Sequence, residues 1–204
     1  VSEQTPTWAW SVKAKNYRDL KTGRFMTRAE AGVRSNDSLS AAVARVRDAT
    51  ARLEAGQIDA GTWDMIMRNQ IRNEYARQYM AATGGQTQMT RAAWGRVGNM
   101  VGEQNKYLGK LVEGLRDGSI SPAQAMMRSG MYANSAREAW SKGNANNAKE
   151  LGKKKEKWTL GDADHCEDCL AFAAMGLQPI GTFPMPGAGE TRCLTACKCE
   201  LEYE

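Results

Sequence analysis

The chain has 204 residues, 42% of them hydrophobic and 25% charged, with a formal net charge of +5. That balance is that of a folded globular protein and excludes wholesale disorder, and the length allows one good core or one helical domain with a small appended module. No apolar run approaches the roughly 18 to 20 residues of a membrane span and the N-terminus lacks a signal-peptide pattern, so a soluble protein made in the cytoplasm, without membrane contact, is expected.

Residues 1–26 hold Trp8, Trp10, Tyr17 and Phe25 among Lys13, Lys15, Arg18, Lys21 and Arg24, with neither helical nor strand period. So many aromatics in so short a stretch point to an extended arm that packs on its own body or on a neighbouring subunit. A cationic, aromatic tail for nucleic acid is the other reading. Asp19 to Arg24 reads as a turn, with Gly23 free to take positive φ.

A helical domain is expected over 27–142. Thr27-Arg28-Ala29-Glu30 fits a capping box that opens a short helix, which Ser35-Asn36-Asp37-Ser38 then interrupts. Leu39, Val43, Val46, Ala49 and Leu53 recur at helical steps up to Gly56. Asp59 can cap a long helix to about Thr83, with Trp63, Ile66, Met67, Ile71, Tyr75 and Tyr79 in line and Gly84-Gly85 closing it. Thr90 can cap the next, which carries Trp94, Val97, Val101, Tyr107, Leu108, Leu111 and Leu115. Its Gly95, Gly98 and Gly102 permit close helix approach. Ser121-Pro122 starts another that runs with Met126, Met127, Met131, Tyr132 and Trp140 to about Lys142, its methionines serving as adaptable core filler.

Gly143-Asn144-Ala145-Asn146-Asn147 reads as a hinge, and 143–157 as a polar hinge and linker helix ending in Lys153-Lys154-Lys155-Glu156-Lys157. That run is a solvated helix end or linker, or alternatively a polyanion contact.

All five cysteines and the only histidine fall in 158–204. A Cys-x2-Cys pair at Cys166 and Cys169, a loop rich in glycine and proline, and a second group at Cys193, Cys197 and Cys199 form the pattern of a structural zinc site, in which two turns each present thiolates to a tetrahedral ion. Zinc bound by four of these five would also order a module too small to hold itself together by burial alone. His165, beside Cys166 in an extended segment, is read as lying behind the ligands or exposed rather than as one of them. A disulfide knot is the alternative to zinc. A zinc deaminase needs a His-x-Glu whose glutamate shuttles protons. Here the only histidine is followed by Cys166 and Glu167, an order that places Glu167 next to the expected ligands and leaves no open-site base. The several histidines or carboxylates of a hydrolytic zinc site are absent, and no enzyme is expected.

The stretch Trp158-x-Leu160-Gly161-x3-His165-Cys166-x2-Cys169-Leu170, then Gly181-Thr182, then Thr191-Arg192-Cys193-x3-Cys197-Lys198-Cys199-x-Leu201, resembles the C-terminal region of tailed-phage head morphogenesis proteins, the phage Mu F-like minor head proteins and their relatives. Those proteins close on His-Pro-Asn-Cys-Arg-Cys. Here Ala196-Cys197-Lys198-Cys199 matches the end, and Cys193 stands near the place of the family histidine. Tyr17-Arg18-Asp19-Leu20-x-Thr22-Gly23-Arg24-Phe25, Trp94-Gly95 and Met131-Tyr132-x2-Ser135-Ala136-Arg137 resemble such proteins more loosely.

The resemblance implies a minor capsid protein of the virion, present in multiple copies and docked on major capsid or portal subunits, with packaged DNA a possible contact. The expected fold is mainly α: a helical body, an extended N-terminal arm, and a small C-terminal Cys-rich zinc module with short β-strands. A DNA-binding zinc-ribbon protein is the alternative, from the basic charge and the cysteine pairs.

Overall fold

The computed structural model describes residues 5–11 and 13–204; residues 1–4 and Val12, part of the expected arm, lie outside the described residues. Five helices of 13 to 27 residues make the body: α1 (Arg28–Glu54), α2 (Ala60–Thr83), α3 (Arg91–Asp117), α4 (Pro122–Asn134) and α5 (Arg137–Glu150). A small antiparallel sheet precedes them, in the order β1 (Trp8–Ser11), β2 (Asn16–Asp19), β3 (Phe25–Met26). The C-terminal module comprises β4 (Lys155–Thr159), α6 (Glu167–Ala174), β5 (Leu177–Pro179) and β6 (Glu200–Tyr203), with strand order β5-β4-β6. The fold is mainly helical with short strands, as expected. Among the described residues, no helix is long and apolar enough to cross a membrane.

Local chemistry starts the helices where the sequence places them. Thr27, Asp59, Thr90 and Ser121 each accept an N–H from the third helical residue, at 3.1, 2.6, 3.2 and 3.2 Å, satisfying donors the helix cannot. Helix α2 then packs on α1, α3 and α5, burying Trp63, Met67, Ile71, Tyr75 and Tyr79 as the centre of the core. Fully burying such side chains is worth about 1.5–3 kcal/mol each, so this one stripe holds much of the body.

Three local expectations give way to tertiary contacts. Ser35-Asn36-Asp37-Ser38 does not interrupt α1, because α2 supplies partners for its polar groups. Ser35 Oγ donates to Gln78 Oε1 at 2.6 Å, and Ser38 Oγ donates to Glu74 Oε1 at 2.7 Å. Gln78 Nε2 and Arg77 Nη1 complete the seam on Glu74 at 2.8 and 2.5 Å. The expected helix to Lys142 breaks instead at Ser135-Ala136, where Ser135 Oγ donates to the Tyr132 carbonyl and accepts from Tyr75 Oη.

The Gly143–Asn147 stretch is not a hinge either, but lies inside α5. A Cβ on Gly143 would fall 2.5 Å from Ala82 Cβ, so its absence lets α5 settle against α2. Asn146 Nδ2 donates to Tyr79 Oη at 2.8 Å, and Asn147 Nδ2 donates to the Ala82 carbonyl. By contrast, Gly95, Gly98 and Gly102 face open space and mediate no close approach. Trp94, Tyr107, Met127 and Met131 also lie exposed rather than in the core.

The segment expected as an extended arm is a folded sheet on its own body. Tyr17 pairs with Trp10 across β1–β2 and with Met26 across β2–β3. Its ring meets Trp10 edge-on and stacks on Trp140 of α5, both with centroids 5.3 Å apart, and its hydroxyl bonds Asn144. Asp19 closes the following turn by accepting from Lys21 and Thr22 N–H, both at 2.9 Å, and Gly23 takes φ +74°. Its second oxygen binds Arg34 of α1 at 2.6 Å, tying turn to body.

Substituting Gly143→Ala is expected to destabilise by about 1–3 kcal/mol through overpacking on Ala82, whereas Gly95→Ala is expected to stabilise by up to about 1 kcal/mol; urea unfolding of the two variants checks both. The Thr22 N–H and the Arg34 guanidinium hold the Asp19 carboxyl well below the usual carboxylate range. Its folded pKa lies below its unfolded one, so its contribution is full above about pH 4 and is lost as pH falls toward the folded value. Asp19→Asn is therefore expected to lower the melting temperature at neutral pH and to narrow the difference from the parent as pH drops.

Candidate metal centre

In the last module the chain alternates at once: Lys155 and Lys157 are exposed, while Glu156 and Trp158 are buried. The lysine run thus spans the end of α5, where the Lys153 N–H bonds the Ala148 carbonyl, and the start of β4, which takes Lys155 to Lys157. Glu156 accepts from the Gly181 and Phe183 N–H groups, both at 2.9 Å, and so pins the glycine- and proline-rich loop to the strand. Phe172 and Phe183 pack on Trp158 with centroids 5.1 and 6.1 Å away. Cys169, Cys197 and Cys199 complete this core with Leu201.

Two turns present the thiols. Cys166 is the N-cap of α6, and Cys169 follows in its first turn on the same side. Cys193 opens a 3-10 turn over Leu194–Ala196, after which Cys197 and Cys199 lead into β6. Thr191 Oγ lies 3.2 Å from Cys193 Sγ. Asp168 accepts the Arg192 N–H at 2.7 Å, clipping the two turns together across the mouth of the cluster. A Cβ on Gly161 would strike the Lys198 carbonyl at 2.1 Å, so only glycine lets that strand pass the Cys197–Cys199 loop.

Cys166, Cys169 and Cys193 lie 3.5, 3.6 and 3.6 Å apart at sulfur, and Cys169 to Cys197 is 3.8 Å. A tetrahedral ion with sulfur bonds of about 2.3 Å needs edges of about 3.8 Å, whereas a disulfide needs about 2.05 Å. All five cysteines are free thiols, and the cluster could hold a metal ion. The disulfide alternative has no pair at bonding distance. Cys193 joins the Cys166–Cys169 pair; Cys197 and Cys199 stand together beside Cys169, the arrangement that spacing alone makes the more constrained. His165 lies behind the thiols, its Nδ1 3.6 Å from Cys199 Sγ, and belongs to neither group of ligand atoms.

Hydrogen bonding polarises the thiols. The Cys197 thiol donates to Cys199 and, against the effect of burial, brings it down to about 5; the same bond pushes Cys197 up. Burial pushes Cys169 up, as does its own donation to its neighbours. Burial also opposes ionisation of Cys166, but donors from Cys169 and Cys193 bring it down to about 7. Arg137, reaching in from α5, is 4% exposed and feels the charges of Glu200, Cys197 and Cys199. Nothing in the cysteine spacing pointed to Arg137; only the looser likeness around Ser135-Ala136-Arg137 touched it. Thr191 and Gly161, beside the cysteines in sequence, lay within the quoted pattern without a role.

No family model, no curated protein and no solved structure matches the chain.

Because metal ligation needs thiolates, ion binding must displace protons from Cys169 and Cys197 near neutral pH. Calorimetric zinc titration in buffers of different ionisation enthalpy is expected to show net proton release, with affinity rising as pH rises.

Proposed function

We propose that the protein is a structural minor capsid protein of a tailed bacteriophage head, in which a zinc-stiffened C-terminal module and apolar helix faces dock on capsid or portal subunits during assembly. The observation that carries this is the pattern from Trp158 to Leu201, whose cysteines converge on one cluster while Trp158 and Leu201 form its core. Zinc suits the donor set, since thiolates in tetrahedral array are its usual structural ligands. The reading assigns no catalysis: the only histidine is followed by Cys166 and Glu167, and Glu167 sits beside the thiols paired with Arg192 rather than as a base over an open position.

An exposed apolar groove supports this reading. Tyr107 and Met131, 58% and 43% exposed, line with Tyr132 a groove of about 330 Å³ between the helical body and Thr195 of the module. Exposed apolar patches of this sort commonly mark contacts with other proteins. The cleft that includes Arg47 and Lys198 adds positive charge beside the module, which makes contact with packaged DNA tolerable.

Purified virions assayed by mass spectrometry are expected to contain the chain at a fixed multiple-copy stoichiometry, and Cys166→Ser with Cys169→Ser is expected to reduce its incorporation at least several-fold. Absence from the particle, together with duplex binding that falls steeply with salt, would transfer the protein to the DNA-binding zinc-ribbon class.

A further inference from the structure

The five thiols fall into two groups rather than one. The ligand atoms of Cys166, Cys169 and Cys193 form one triad within mutual reach, and those of Cys169, Cys197 and Cys199 form a second. Among the described residues no four of the five lie within 4.8 Å of one another, so no single tetrahedron closes. Cys169 belongs to both triads and is the hub, 1% exposed and 3.5 to 3.8 Å from Cys166, Cys193 and Cys197.

We propose that the module binds two thiophilic divalent ions, zinc in the cell, bridged by the Cys169 thiolate: one on Cys166, Cys169 and Cys193, the other on Cys169, Cys197 and Cys199. This rests on reading the cluster as a metal centre. A thiolate sulfur carries lone pairs enough for two metals, and bridging gives a role to the fifth cysteine that one tetrahedral ion would leave over. His165 stands behind the second triad: its Nδ1 is 3.6 Å from Cys199 Sγ, but it does not share the mutual reach of the three thiols and is not a ligand. The first ion faces outward between the half-buried Cys166 and Cys193, where water completes its shell.

Charge favours the pair. Five thiolates with two divalent ions leave one negative charge. Arg137 is a buried cation that feels Cys197 and Cys199 and whose Nη1 has no hydrogen-bond partner, while Glu200, which it also feels, is paired with Arg28. A buried charge is tolerated when it is paired, and the two cancel. With one ion on four thiolates, the same arginine would face two negative charges.

The full chain, purified under reducing conditions with zinc present, is expected to carry two zinc ions per chain by native mass spectrometry and elemental analysis. One ion per chain would overturn the bridged pair while leaving a metal centre in place; none, with the thiols still reduced, would overturn both. Replacing zinc by cobalt(II) tests the shared sulfur directly. At two equivalents, coupling of the spins through Cys169 is expected to lower the paramagnetic signal per cobalt below that at one equivalent, and two uncoupled cobalt ions would overturn the bridge. Cys199→Ser is expected to reduce the load to one ion per chain, and retention of two ions by that variant would overturn the second site as assigned.

Discussion

At Gly143 the backbone of α5 lies so close to α2 that an added Cβ would meet the Ala82 methyl at 2.5 Å. Around that contact Asn146 and Asn147 bond to Tyr79 and to the Ala82 carbonyl, so the approach is held by polar groups as well as by shape. The rest of α5 is thereby set in register. Trp140 and Asn144 form the seat for Tyr17 of the N-terminal sheet. Arg137 and Ser141 meet the C-terminal module, Arg137 through its packing on Gly187 and Ser141 by donating to the Pro186 carbonyl at 3.2 Å. One helix thus positions both ends of the chain.

The C-terminal module depends on this support and on its sulfur cluster. Its core is Trp158, two phenylalanines, Leu201 and the cysteines themselves, too little apolar area to order a segment of this length by burial alone. A metal ion held by these thiols, worth on the order of 10 kcal/mol in structural zinc modules, would replace the missing core. The edge toward the body is sealed by Arg28 of α1, which donates to the Leu201 carbonyl and pairs with Glu200 at 3.5 Å. A metal ion at the thiols would further fix the surface geometry of the module on the helical body.

Elements whose signal is local were legible in the sequence. Four helix caps were readable because a side-chain oxygen and an N–H three residues on interact whatever surrounds them. The α2 stripe was readable because five large side chains repeat at helical steps and are all buried. Exposed Trp94, Tyr107, Met127 and Met131 were misplaced because periodicity shows which face is apolar, not whether a neighbour covers it. The strands of the first sheet were missed because four- and two-residue strands offer no period to count. Their pairing is decided by partners across the turn and by Trp140, more than 120 residues away.

The sequence by itself determined the mainly helical class, where α1 to α4 begin, and the five thiols that could hold metal, since these follow from short-range chemistry and from residue types with few other uses. Tertiary structure alone decided that α1 runs through a serine- and asparagine-rich stretch, that the glycine–asparagine segment is a packed helix, and that Arg137 reaches the cysteines. In each case a polar or small residue that favours a turn in isolation finds its partner on a distant element. The same holds for the division of the cysteines into two triads about Cys169: spacing supplies the ligands, and the crossing of α6 with the turn before β6 decides which of them meet.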